Sequence, residues 1–158
     1  PCDTTFKWNS RYRDQSTCQP LYPFGFGLSY TSFDVSHLTL SRSSVGRNGS
    51  VTVSMAVKNT GARAGDDVVQ LYIHDPVASI SQPVRRLRGF QRVALRPGET
   101  RTVSLHLSPR DLSAVTADGQ REVMAGDYTV SVGSGQPDTG VATREARFSV
   151  DRAVVMPD

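Results

Sequence analysis

Lysine is almost missing from this sequence, with two residues against sixteen arginines in 158. Glutamate is scarce too, three against twelve aspartates, and there are only two cysteines, Cys2 and Cys18. No apolar run approaches the roughly 20 residues that a membrane-crossing helix needs. No charged-then-apolar leader stands at Pro1, so a cellular address has to be inferred from other features. Ligand pairs for a metal are lacking as well. There is no CxxC, and His37, His74 and His106 lie far from the cysteines, each inside a strand-patterned segment. Zinc sites need closely spaced pairs, so neither metal nor cofactor is expected.

Catalytic patterns are equally short. No GxSxG turn, phosphate-cradling glycine loop or nucleotide fingerprint occurs. The acids Asp66-Asp67, Asp75, Asp118, Asp127 and Asp138 sit beside turn signals, and nothing in their spacing sets two carboxyls across a substrate. They read as solvated turn acids. The formal charge of +3 is local in origin: Arg85 to Arg101 holds six arginines and one acid, Glu99. Those arginines interleave with Leu87, Val93 and Leu95, and Phe90 is the only ring among them. A nucleic-acid surface would pair the charge with stacking aromatics or a groove-reading helix. The stretch therefore reads as the solvated face of strands, with no nucleic-acid and no membrane partner.

What is present from residue 33 onward is period-2 alternation. Phe33, Val35, Leu38 and Leu40 make a first strand whose change of face midway predicts a bulge. Val51, Val53, Met55 and Val57 alternate with Thr52, Ser54, Ala56 and Lys58 as a half-buried strand should. Further strands run from Val68 to His74, Leu87 to Leu95, Val103 to Leu107, Val123 through Val132, and Ala146 to Val150. Asn59-Thr60-Gly61 supplies turn chemistry, and Pro97-Gly98 suits the centre of a type II turn. Helical pattern is confined to a single turn around Ser108 to Leu112. Seven strands in series predict an all-β, seven-stranded sandwich of the immunoglobulin or fibronectin-III-like kind over residues 33–151, followed by a tail at 152–158. Tyr128 stands where such sandwiches keep a buried tyrosine whose hydroxyl bonds back to the chain. The tract from Gly133 to Gly140 is expected to be a hairpin loop, and Asn48-Gly49-Ser50 is a glycosylation sequon.

The first 32 residues differ in kind. They hold Phe6, Trp8, Tyr12, Tyr22, Phe24, Phe26 and Tyr30, seven of the twelve aromatics, without strand alternation. Irregular backbone cannot bury that many rings against itself, so this junction segment must pack on the sandwich and on a neighbouring domain. Leu21, Phe24 and Leu28 are expected to face inward. Trp8, Tyr12, Tyr22, Phe26 and Tyr30 are the candidates for interdomain contact. In an oxidising compartment Cys2 and Cys18 are expected to pair, closing a loop of about 15 residues worth roughly 3 kcal/mol; two free thiols are the alternative.

The stretch PLYPFGFGLSYTSF, Pro20 to Phe33, resembles the junction that opens the C-terminal domain of family 3 glycoside hydrolases, the β-glucosidases and β-xylosidases. WNSRYRD, Trp8 to Asp14, looks like the segment before it in bacterial periplasmic β-glucosidases. Val57 to Leu112 and AGDYTVSVG, Ala125 to Gly133, are similar to the same domain in the same order. The resemblance implies a fibronectin-III-like module without catalytic residues of its own. Its partners would be a catalytic barrel and an α/β sandwich in a parent enzyme that cleaves terminal β-linked glucose or xylose with retention, with room for a homodimer contact. It also implies a periplasmic or secreted location. The competing reading is a free-standing carbohydrate- or polymer-binding module using exposed rings as stacking platforms.

Overall fold

The computed structural model describes residues 21–46, 49–75 and 83–156. In chain order the elements are β1 (Phe33–Leu40), β2 (Ser44–Val45), β3 (Val51–Asn59), β4 (Gly65–His74), β5 (Arg86–Leu95) and β6 (Thr100–Leu107). They continue with α1 (Pro109–Leu112), β7 (Ala114–Val115), β8 (Arg121–Val123), β9 (Gly126–Gly133), β10 (Thr143–Val150) and β11 (Val154–Val155). One sheet has the order β1-β3-β6 and the facing one β2-β10-β9-β4-β5, while β11-β8-β7 form a small third sheet. The fold is an all-β sandwich whose one helix among the described residues is a single turn.

Alternation explains the two layers. On β3, Val51, Val53, Met55 and Val57 are buried and the residues between them are not. On β4, Val69, Leu71 and Ile73 turn inward, and Leu71 and Ile73 stand opposite Val132 and Val130 of β9. Side chains of period 2 from two facing sheets fill one apolar core, which is the driving term for the fold. Tyr128 lies in that core, stacked on Phe148 with ring centroids 5.4 Å apart, and its hydroxyl donates to the Met124 carbonyl at 2.9 Å. The expected back-bonded tyrosine is present. Burial raises its pKa far above the ordinary phenol value, reinforced by the charge of Asp75.

The punctuation also follows the residues. The β1 register slips between Ser36 and Thr39, where His37 takes a φ of 52°. Gly98 has φ 74° and the Glu99 N–H donates to the Arg96 carbonyl at 3.0 Å, as the Pro-Gly turn requires. Ser108 caps α1 by a reciprocal pair: Asp111 N–H donates to Ser108 Oγ, and Ser108 N–H to Asp111 Oδ2.

Three expectations need correction. Asp66 and Asp67 lie within β4 rather than in a turn, because the strand begins at Gly65, and Asp67 is buried. Arg86 and Arg88 are half-buried instead of solvated, since this end of β5 packs near Ser113 and Arg88 is the extra residue of a bulge opposite Leu71 and Tyr72. Residues 152–158 are not all tail, because Val154 and Val155 pair with Val123 and Glu122 and Met156 packs on the core.

Candidate functional site

Residues 21–32 form an irregular strap across the outer face of the five-stranded sheet, held by polar contacts at two points. The first is a turn in which the Phe26 N–H donates to the Pro23 carbonyl at 3.0 Å. It places Gly25 at φ 74°, a left-handed conformation that costs glycine little. The Gly25 carbonyl accepts from Gln70 Nε2 at 3.0 Å, and Gln70 Oε1 accepts from the Tyr72 hydroxyl at 2.6 Å. Gln70 and Tyr72 are on the outward phase of β4, yet both are buried, Tyr72 to 3% exposure. Burial raises the Tyr72 pKa.

The second point is Asn59, fully buried at the end of β3. Its Oδ1 accepts from Thr31 Oγ1 at 2.7 Å and from the Gly61 N–H at 3.0 Å. Its Nδ2 donates to the Arg63 carbonyl at 2.7 Å and the Leu95 carbonyl at 3.1 Å. Alongside, the Thr60 N–H donates to the Ser32 carbonyl at 2.8 Å. One side chain thus ties the strap, the β3–β4 turn and the end of β5.

On both sides of the Gly25 tie the strap turns its apolar side chains outward. Tyr22, Phe26 and Tyr30 are exposed, as are Leu21 at 86%, Phe24 at 65% and Leu28 at 89%. The last three are not the inward anchors expected of them, because polar bonds to Gln70, Asn59 and Thr60 hold the strap where apolar burial was anticipated. Tyr22 and Phe26 lean together, with centroids 5.2 Å apart and planes inclined by 36°. Beneath the strap runs a groove of about 570 Å³, lined among others by Phe26, Leu28, Phe33, Val68 and Asp67. Burial raises the pKa of Asp67, opposed by hydrogen bonds from Ser134 Oγ at 2.8 Å and from the Val68 backbone.

Sequence reasoning missed Phe90. It is exposed and stands directly opposite Gln70 across the β4–β5 ladder, so it extends the same outer face. Its signal was its phase, shared with Arg92 rather than with the buried Val93 and Leu95. Trp8, Tyr12, Cys2, Cys18 and Asn48 of the sequon lie outside the described residues. Among the described residues no group of three or more His, Cys, Asp or Glu side chains is placed to hold a metal ion.

Residues 67–136 match the fibronectin type III-like domain family. The chain is 44% identical over 128 residues to a β-xylosidase of Formosa agariphila, covering 81% of this chain and 17% of that protein. It is 44% identical over 127 residues to a periplasmic β-glucosidase of Salmonella typhimurium, covering 80% and 16%. Among solved structures, the β-glucosidase EmGH1 of Erythrobacter marinus superposes with a TM-score of 0.79 at 41% identity, over 89% of this chain and 18% of that one. A Listeria innocua β-glucosidase gives 0.79 at 32% identity, over 94% and 20%. The chain belongs to the fibronectin type III-like domains of glycoside hydrolase family 3. It spans about a sixth of the length of the curated relatives just named.

Proposed function

We propose that this chain is the non-catalytic interdomain module of a family 3 β-glycosidase, and that its strap is the joint to the catalytic domains. The parent activity would be retaining exo-hydrolysis of terminal β-D-glucosyl or β-D-xylosyl residues. The observation that carries the reading is the outward presentation of Leu21, Tyr22, Phe24, Phe26, Leu28 and Tyr30 on a backbone clipped at Gly25 and Thr31. Contiguous apolar side chains on a fixed backbone are what a partner surface covers. In this reading residues 1–32 are the junction, with Trp8 and Tyr12 adding to the contact and a Cys2–Cys18 disulfide within it. Residues 33–151 are a seven-stranded immunoglobulin/fibronectin-III-like sandwich, residues 152–158 close the chain, and the parent is periplasmic or secreted. The barrel and α/β sandwich of the parent are the partners, with room in the parent for a homodimer contact.

A sugar platform would want coplanar rings, whereas Tyr22 and Phe26 are inclined to each other. The test is Phe26→Ala with Tyr30→Ala in the parent enzyme. Its thermal midpoint should fall by several degrees while the ratio of kcat/KM for aryl β-glucoside and β-xyloside is unchanged. An unaltered midpoint would defeat the joint, and binding of the free 158-residue chain to cellulose or xylan through these rings would favour the carbohydrate-binding reading.

A further inference from the structure

The groove beneath the strap is acidic as well as apolar. Phe26, Leu28, Phe33, Val68 and Val141 supply apolar wall, and Asp34, Asp66 and Asp67 supply charge. No lysine, arginine or histidine lines it among the described residues. Two of the three carboxylates already have a cation. Asp34 faces Arg144 at 3.8 Å, and Asp66 accepts from Arg92 Nε at 2.7 Å.

Asp67 has none. It is 7% exposed, and its partners are neutral: the Ser134 hydroxyl, which donates to Oδ2 at 2.8 Å, and the Val68 N–H. No ion pair among the described residues includes it. A carboxylate can accept at about four sites, so two neutral donors leave it unfilled. Buried charges are ordinarily paired, and one without a counter-charge costs stability. Burial raises the pKa of Asp67, as it should for a carboxylate with no positive neighbour.

We propose that the groove seats a basic side chain, an arginine or lysine presented by a neighbouring domain of the parent enzyme, with Asp67 as its counter-charge. The proposal rests on the strap being the joint, and it names what the joint receives. Charge complementarity carries it, together with position. The groove lies directly under the strap, and the chain spans about a sixth of its relatives, which leaves most of such a parent to supply the partner. Apolar walls around one unpaired carboxylate suit a side chain whose methylene stem packs while its head stays charged. A hydrated metal ion would gain nothing from those walls.

The first test compares Asp67→Asn in two settings at pH 7. In the isolated 158-residue chain it relieves a buried charge, so the thermal midpoint should rise. In the parent enzyme it strands the incoming cation in the groove, so the midpoint should fall by several degrees. Asp66→Asn, whose acid serves an exposed pair with Arg92, should show no such reversal. A rise in both settings, or a fall in both, would overturn the proposal. The Phe26→Ala and Tyr30→Ala pair leaves Asp67 untouched, so the two readings fail separately. An unaltered parent midpoint in that pair, with the reversal intact, removes the rings from the joint and keeps the groove. A lost reversal with the rings still effective keeps the joint and removes the groove.

The second test titrates the isolated chain with n-butylguanidinium and n-butylammonium chloride at constant ionic strength, following backbone amide shifts. Shifts at Val68, Ser134 and Ala142, which line the groove, should saturate and should vanish in Asp67→Asn. Butyl cations should bind more tightly than methyl ones, because their stems reach the apolar walls. The tighter head group assigns arginine or lysine. Shifts that do not saturate, that persist in Asp67→Asn or that ignore the stem would overturn the site.

Discussion

Gln70 and Gly25, 45 residues apart in sequence, are joined by one hydrogen bond of 3.0 Å that holds the aromatic strap to the sheet. The bond works because Gln70 is itself fixed, its other amide atom accepting from Tyr72. A relay of hydroxyl, amide and carbonyl thus replaces the apolar packing that a segment this rich in rings would be expected to use.

Breaking the relay should free the strap and leave the sandwich folded. Gln70→Ala removes both bonds and strands the Tyr72 hydroxyl, at about 1–3 kcal/mol. Gly25→Ala adds a methyl facing the Gln70 amide and forces φ 74° on a residue that resists it, costing about 1 kcal/mol. Limited proteolysis of the 158-residue chain checks this, with faster cleavage between residues 21 and 32 and no change after residue 33. Equal cleavage rates in native and variant chains would mean that the clip does not hold the strap.

Asn59 should be far less replaceable than its place at a strand end suggests. Asn59→Ala deletes four hydrogen bonds that join three segments, at roughly 1 kcal/mol each before relaxation, so about 3 kcal/mol in all. Asn59→Asp, which keeps the shape, should be no better: a carboxylate cannot donate to the Arg63 and Leu95 carbonyls, and it places a charge in a fully buried site. Urea denaturation of both variants checks the pair. A native-like midpoint for Asn59→Asp would show that the two donated bonds contribute little.

The sandwich was legible because its signals are local. The alternation in Val51 to Val57, the Pro97-Gly98 turn and the face change at Leu38 each follow from residues adjacent in sequence, and their physics is short-ranged. The strap was legible only as an excess of rings. Which of them point outward depends on Gln70, Asn59 and Thr60, and no pattern within 21–32 encodes contacts to residues so distant. Phe90 was missed although its phase with Arg92 marks it as outward. Arg86 and Arg88 were misread because a bulge opposite Leu71 and Tyr72 breaks the alternation on which the solvated reading relied. Asp67 was misassigned because a pair of aspartates resembles turn chemistry, while the strand beginning at Gly65 had already taken both.

Asp67 is also where pH should act on stability. Burial raises its pKa above the ordinary aspartate value, outweighing the hydrogen bonds from Ser134 and the Val68 backbone that lower it. The folded chain therefore binds this proton more tightly than the unfolded chain does. The stabilisation that results is complete below the unfolded aspartate pKa and is lost as pH rises through the folded one. At neutral pH the ionised, half-desolvated carboxylate is a burden on the fold. Asp67→Asn keeps an oxygen for the Ser134 hydroxyl and cannot ionise, so its thermal midpoint should exceed the native one at pH 7. The advantage should shrink as pH falls through the carboxylate range. Ser134→Ala should act the other way at pH 7, removing a donor to the carboxylate at a cost of about 1.5–3 kcal/mol, reduced by partial exposure. Midpoints of the three chains between pH 3 and 8 decide the matter. If Asp67→Asn is the less stable at pH 7, and by the same margin at every pH, the hydrogen bonds outweigh burial and the direction argued here is wrong.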